Sequence, residues 1–503
     1  MIDGGVFLGV NAANGNGKHR NLVSYLHRAG VSNALCASYE AVYYSTFSGN
    51  AETLQICNAS GGGLVPMAVI NPRNYESGGK YIRDYVRPNF PLICLLPKIQ
   101  GWNIKSTVVL NILKDAELCG LPVQFVIDSQ SMLFDIAELC QKVNTKILIR
   151  WFGRGCYDLL SDFHATGLEF ENLYFDVGAV TQTGGIKYLV DKIGSHRLFF
   201  STNTPECYAM PSLFLLANSN LSNKELEDIA HLTLSNLINL GVKEYKDAVQ
   251  GLKNHCKLLL NKPKIDTHWH TGTWDIVEPK IGFEEIAKTQ KKFNCISIVT
   301  SSVLGLNCDI ERGNLETKKF INSYDHAFGY IVINPLDIDA SLKEIDKHIS
   351  DPKFVGFKTI QDFYGLSLEN AEYDPVLTRL SGTGMPLLAH LPGMAAAAKK
   401  FRECRFIAAH STWRYDDLLE LPNVWLDLAT SSAKVLDVKL ENFFSTVPIE
   451  KILFSSDAQL ISPAWTLGKI AELDLSEREL ECVFVSNAKR AFSRFPSNLG
   501  EQT

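Results

Sequence analysis

The chain repeats itself at long range, and that repeat constrains its fold more than any local pattern. Ile2-Asp3 precedes Gly9 at the spacing at which Ile265-Asp266 precedes Gly272. Val69-Ile70-Asn71-Pro72 returns as Val332-Ile333-Asn334-Pro335, and Gly120-Leu121-Pro122 as Gly384-Met385-Pro386. Asn172-Leu173-Tyr174-Phe175-Asp176 returns as Asn423-Val424-Trp425-Leu426-Asp427. Arg197-Leu198-Phe199-Phe200-Ser201 pairs with Lys451-Ile452-Leu453-Phe454-Ser455, and Ser235-Asn236 with Ser486-Asn487. The offset falls from 263 residues at the first match to 251 at the last, as loops of unequal length would make it. Matches in one unbroken order predict a tandem duplication. The expected domains are 1–245 and 262–495, with the boundary between Leu240 and Pro263, after a helix that begins near Ser222.

Each half alternates short apolar runs with helical stretches. In the second half the runs lie near 264–270, 294–299, 328–333, 353–358, 386–390, 405–409, 423–428 and 451–455. Helical patterns separate them, as at Ile338–His348 and Ala371–Ser381. In the first half the runs lie near 5–10, 31–37, 64–70, 91–96, 122–127, 146–150, 172–176 and 197–201. The expected fold class is α/β, with two tandem (β/α)8 TIM-like barrels. An open, doubly wound sheet is the alternative. The tail after Phe495 is expected to be loose.

Bulk properties narrow the function. A chain of 503 residues with 46% apolar residues exceeds what one core holds, so two or more domains are the default. The net charge of −6 is spread without long runs and favours neither nucleic acid nor a membrane surface as partner. No apolar run is long enough for a membrane span, and the start Met1-Ile2-Asp3-Gly4-Gly5 lacks the pattern of a signal peptide. The 12 cysteines form no Cys-x-x-Cys pair and are expected to be reduced thiols in a cytoplasmic protein.

The sharpest motif is Asp266-Thr267-His268-Trp269-His270-Thr271-Gly272. Side chains two apart on a strand share a face, so His268 and His270 point the same way and can grip one metal ion. Alone, the pattern also suits two hydrogen-bonded polar residues. Three further residues change the balance: His390, His410 and Asp457 each end an apolar run. These are C-terminal strand ends, where barrel enzymes carry their active sites. A single strand-end histidine can equally be a rim residue, and Asp457 could cap the following helix. Of the histidines in this half, only His326 and His348 fall elsewhere.

Together with Val355-Gly356-Phe357-Lys358, Pro422-Asn423-Val424 and Ser486-Asn487-Ala488, these motifs resemble the amidohydrolase-related branch of the amidohydrolase superfamily, the branch of aminocarboxymuconate semialdehyde decarboxylase. The resemblance covers most of residues 264–495. It implies that His268, His270 and His390 bind a divalent metal, with Asp457 as a further ligand or as the base. It implies that His410 is the catalytic acid/base. Lys358 ends the fourth strand, where some superfamily members carry a carboxylated lysine bridging two metals; the preferred reading is a strand-end lysine that contacts an anionic substrate or a neighbouring carboxylate. One metal per chain is expected. Zinc comes first, with manganese, iron or nickel as alternatives. Thr359, Asp362, Tyr364, Trp274, Thr412 and Arg414 are candidate substrate contacts by their strand-end location.

In the first half the ligand positions hold other residues. Gly5 and Phe7 stand for His268 and His270, Val126 for His390, Trp151 for His410 and Asn203 for Asp457. This half is expected to be a barrel without metal, and its histidines fall in predicted helices or loops. Fused to the active copy, it could replace a second subunit, giving a monomeric internal pseudo-dimer; a homodimer is the alternative. Arg150, Arg154 and Tyr157 are ordinary rim residues on this reading, or else donors across the domains. The leading expectation is hydrolysis of an amide or lactone in a small polar substrate. Non-oxidative decarboxylation of a small carboxylic acid comes next. A metal-binding sensor without turnover is the third reading.

Overall fold

In the N-terminal half the described residues form strands β1 (Ile2–Leu8), β2 (Asn33–Ser38), β3 (Leu64–Pro66), β4 (Ala68–Val69), β5 (Ile93–Leu95), β6 (Val123–Ile127), β7 (Ile147–Trp151), β8 (Leu173–Asp176) and β9 (Leu198–Phe199). All pair in parallel and in sequence order, but in two sheets, β1-β2-β3 and β4-β5-β6-β7-β8-β9. Where one continuous sheet was expected, pairing breaks at Met67. Pro66 just before it has no N–H to give to a ladder, while the Met67 N–H donates to Cys36 O at 2.8 Å. Backbone bonds from Gly4 N to Phe200 O (2.7 Å) and from Phe7 N to Thr204 O (3.0 Å) tie β1 to the end of β9 and the segment beyond.

The C-terminal half forms β10 (Lys264–Thr271), β11 (Cys295–Ser302), β12 (Ala327–Val332), β13 (Phe354–Lys358), β14 (Pro386–Ala389), β15 (Arg405–Ala408), β16 (Val424–Asp427) and β17 (Ile452–Leu453). They make one eight-stranded parallel sheet in sequence order. Thr267 N donates to Phe454 O (3.1 Å), Asp457 N to His268 O (2.8 Å) and His270 N to Ala458 O (2.6 Å), so last strand meets first in a near-closed TIM-like barrel. Parallel strands are covered on both faces, which is why most of these read as apolar runs. The exception is β10. It is mostly polar, yet all its residues are buried. Buried polar groups need partners, and two of those on β10, His268 and His270, face each other within the candidate cluster described below.

The computed structural model describes residues 1–9, 22–76, 78–153, 155–241 and 256–500. It falls into two units, one running to Cys256 and taking in Ser432–Leu436, the other beginning at Lys257. The helix over Ile338–His348 forms as its pattern predicts. Asp337 caps it by accepting from Ala340 N, Asp339 sits in its first turn, and Lys347 and His348 sit in its last, each matching the helix dipole. The stretch 371–381 begins instead as a 3-10 turn (Ala371–Tyr373), and the helix proper (Asp374–Leu380) starts with Pro375 in its first turn. The described residues after Phe495 are tied to the barrel where a loose tail was expected: Leu499 is buried in the apolar cluster of Ile265, Val299, Phe328 and Phe492. Among the described residues no helix is long and apolar enough to cross a membrane.

Candidate metal centre

Asp266 fixes the strand that carries the two histidines. Its carboxylate accepts from Ser456 N (3.0 Å), Ser456 Oγ (2.6 Å) and His268 N (3.3 Å), joining β10 to the segment after β17. Burial pushes its pKa up to about 7. Above it His268 and His270 are both buried, with ring centroids 5.2 Å apart. The His410 ring lies 5.3 Å from that of His268, and the His390 ring 5.0 Å from that of His410.

Three of these imidazoles have Nδ1 tied to an acceptor. His268 Nδ1 lies 2.7 Å from Asp427 Oδ2, His390 Nδ1 2.5 Å from Asp362 Oδ2, and His410 Nδ1 2.7 Å from the Ala429 carbonyl oxygen. A carbonyl or a carboxylate only accepts, so the proton sits on Nδ1 and Nε2 keeps its lone pair. The Nδ1 of His270 faces Ser301 Oγ at 3.2 Å.

The Nε2 atoms of His268, His270 and His410 point toward Asp457. His270 Nε2 is 3.0 Å and His268 Nε2 3.5 Å from Asp457 Oδ1, and His410 Nε2 is 4.0 Å from Oδ2. Ligand bonds of about 2.1 Å put neighbouring donor atoms roughly 3–3.5 Å apart, so the spacing fits a metal ion. His268, His270 and Asp457 offer ligand atoms all within 4.8 Å of one another, and so do His268, His410 and Asp427. His390 belongs to neither group. Lys358 Nζ stands 3.1 Å from His268 Nε2 and donates to its lone pair.

Burial keeps the imidazoles of His268, His270 and His390 neutral. Burial holds His268 well below the ordinary histidine range, helped by Lys358 and the other histidines. It also lowers His270, and it brings His390 down to about 3. Neutral imidazoles are the form that binds metal. Burial alone would raise Asp457, but the His270 hydrogen bond and the nearby His410, His270 and Lys358 outweigh it and hold the carboxyl below its usual value. Burial raises Asp427 to about 6 and lowers Lys358 to about 8. His410 (φ 56°) and Asp457 (φ 64°) both occupy the left-handed backbone region. Such strain, of order 1–3 kcal/mol per residue, gathers at functional sites. Asp457 caps no helix: the next one, Pro463–Ala471, is capped by Ser462.

The remaining candidates divide. Trp274 packs edge-on against His270, with centroids 5.5 Å apart. Asp362 anchors His390. Thr359 Oγ1 bonds the Tyr373 hydroxyl at 3.2 Å, Thr412 Oγ1 is buried with no hydrogen-bond partner among the described residues, Tyr364 is half-buried and Arg414 is exposed. Asp427, which sequence reading passed over, is central. Besides holding His268 it accepts from His410 N (2.7 Å) and Ala429 N (3.2 Å). Its signal was present as a strand-end aspartate repeated at Asp176. In the first half, Arg150 is no rim residue. It lies within β7, fully buried. Tyr157 is half-buried, and Arg154 falls outside the described residues. His27 and His164 lie in α-helices, His196 in a 3-10 turn and His231 in a π-helix, while His19 and His255 fall outside the described residues.

A crystal structure of a putative amidohydrolase from Staphylococcus aureus aligns at 14% identity, over 46% of this chain and 100% of that one, with a TM-score of 0.38. The 4-oxalomesaconate hydratase of Rhodopseudomonas palustris aligns at 15% identity, over 46% and 96%, with a TM-score of 0.36. The 5-carboxyvanillate decarboxylase of Sphingomonas paucimobilis aligns at 9% identity, over 48% and 99%, with a TM-score of 0.38. No curated protein matches the chain. The family model described as Amidohydrolase matches residues 265–494. The C-terminal half, which holds the His268/His270/Asp457 cluster, is thus the part of this chain that carries the amidohydrolase family's pattern, and the N-terminal half lies outside the match.

Proposed function

We propose that the C-terminal half is a metal-dependent hydrolase that cleaves a C–N or C–O bond, as in an amide or lactone, in a small polar substrate. The observation that carries this is the convergence of His268, His270 and Asp457 within 4.8 Å at the C-terminal strand ends, with His410 beside them. These three would hold a divalent ion, zinc first by the chemistry of the donors, and His390 is proposed as a further ligand. When bound, such an ion supplies Lewis acidity, polarising a carbonyl and making water a stronger nucleophile near neutral pH. The chain's own groups do the rest. His410 keeps its Nε2 lone pair because Nδ1 is committed to Ala429 O. It is partly exposed, so it can take a proton from water and return it to the leaving group. Asp427 holds His268 and His410 in register, and Trp274 walls one side of His270.

A second reading is decarboxylation of a small carboxylic acid. Lys358 favours it, because a buried ammonium beside His268 Nε2 offers a counter-charge to a substrate carboxylate. Elemental analysis of wild type beside His268→Ala, with turnover measured on amides, lactones and carboxylic acids, tests both. One metal ion per chain, lost in the variant, with hydrolysis of an amide or lactone is the expected result. Release of carbon dioxide would favour the second reading. Protein purified without metal, or tight metal with no turnover across the panel, would overturn the enzymatic reading.

We infer further that the N-terminal half is a degenerate copy of the same barrel. The bond from Gly4 N to Phe200 O stands where Thr267 N to Phe454 O stands, and Phe7 N to Thr204 O stands where His270 N to Ala458 O stands. Asn203 (φ 57°) shares the left-handed backbone of Asp457. Such a copy would serve as the fused partner of the active half.

A further inference from the structure

The first half has lost every ligand histidine, yet it keeps the carboxylates around the cluster. Asp3 accepts from Gly5 N (3.0 Å), Thr202 N (3.0 Å) and Thr202 Oγ1, as Asp266 accepts from His268 and Ser456. Asp176 accepts from Gly178 N (2.8 Å) and Ser201 Oγ (2.5 Å), in the place of Asp427. Both aspartates are fully buried. Buried carboxylates with no cation nearby are costly.

Arg150, fully buried on β7, reaches into this space. Its Nε donates to Asn203 Oδ1 at 2.7 Å, and Asn203 occupies the position of Asp457. Asn203 Nδ2 donates to Trp151 O (3.0 Å), which turns Oδ1 toward the guanidinium. The Arg150 Cζ lies 5.0 Å from the ring centre of Phe7, the residue at the His270 position. A Cβ on Gly5, at the His268 position, would stand 2.0 Å from an Arg150 terminal nitrogen. Only glycine there leaves room for the guanidinium. Burial lowers the Arg150 pKa, while Cys94, Asp3 and Asp176 act to raise it. Among the described residues its two terminal nitrogens make no hydrogen bond, so the attraction to the aspartates acts through space.

Resting on the duplication and metal site proposed above, we infer that Arg150 is a resident organic cation of the N-terminal half, seated where the second half gathers its candidate metal ligands and neutralising the carboxylates that recur there. Gly5 and Asn203 are then adaptations to the guanidinium rather than random losses.

A double-mutant cycle in the full chain tests this, read by thermal unfolding and soluble yield. Arg150→Met keeps the volume and removes the charge; Asp176→Asn removes one carboxylate. Stripping a buried charge of its partner is expected to lower Tm by about 10 °C in Arg150→Met. Adding Asp176→Asn should recover a clear part of that loss, because the two effects are coupled. Losses that simply add, or an Arg150→Met chain as stable as wild type, would overturn the inference. If Arg150→Met yields no soluble protein, the double variant decides. Soluble double variant supports the pairing; insoluble double variant beside soluble Asp176→Asn refutes it.

Discussion

Asp427→Asn isolates the tautomer argument on which the metal site depends. The amide keeps an oxygen for His410 N and Ala429 N, now 2.7 and 3.2 Å from Asp427 Oδ1. It replaces Oδ2, 2.7 Å from His268 Nδ1, with an NH2 group. An amide N–H can only donate. His268 must therefore either lose this bond or present a bare Nδ1, which moves its proton to Nε2. Either outcome spoils Nε2 as a ligand, since the second protonates it and the first frees the ring. Loss of such an outer partner weakens metal affinity by about 10–100-fold, or roughly 1.4–2.7 kcal/mol. Competition with a zinc chelator on apo protein reads the affinity, and thermal unfolding of the apo protein reads the fold. The expected result is weaker binding with Tm nearly unchanged, because the two backbone bonds survive. Asp427→Ala should weaken binding and also destabilise the protein, since it leaves buried N–H groups unpaired at about 1–3 kcal/mol each. Wild-type affinity in a folded Asp427→Asn protein would refute the assignment of the Nδ1 proton and of Nε2 as the ligand atom.

Three further outcomes follow from the geometry. His410→Gln should cut turnover by about 10²–10⁴-fold while metal content holds, because His410 is cast as the proton carrier; loss of metal in this variant would make it a ligand instead. The Lys469 amine, buried on the helix Pro463–Ala471 and donating to Thr430 O, has its pKa lowered by burial to about 7. The unfolded chain then holds more protons between about pH 7 and 10, so stability rises with pH across that window, and Lys469→Met should show a smaller gain in Tm from pH 7 to 9. Equal gains in both proteins would sink the linkage. Gly313→Ala would put a methyl 2.2 Å from Gly305 Cα, where two helices meet backbone to backbone. A loss of about 1–3 kcal/mol in denaturant unfolding is expected, and no loss would mean the helices part freely.

Apart from β10, the strands of the second half were legible because a parallel strand covered on both faces is mostly apolar, and those runs became strands. His268 and His270 were legible for the opposite reason: polar residues at alternate positions on a buried strand need a purpose. The role of Asp427 was not legible, since Trp425-Leu426-Asp427 reads equally well as a strand closing on a cap. Which histidine a carboxylate meets depends on how strands far apart in the chain come together. The break at Met67 was missed because Pro66 sits in an otherwise apolar run. Arg150 was misread because an arginine after an apolar run signals a rim unless something opposite makes room, and Gly5 does so from 145 residues away. Laying one half over the other repairs part of this. Residues that recur, Asp3 with Asp266 and Asp176 with Asp427, bind the ends of strands together in both halves, so their chemistry is required with or without a metal. Residues that do not recur, His268, His270, His390, His410 and Asp457, mark what sets the second half apart. By that criterion Asp427 is first a structural carboxylate, and the candidate metal site rests on a hydrogen-bonding frame that stands without it in the other half.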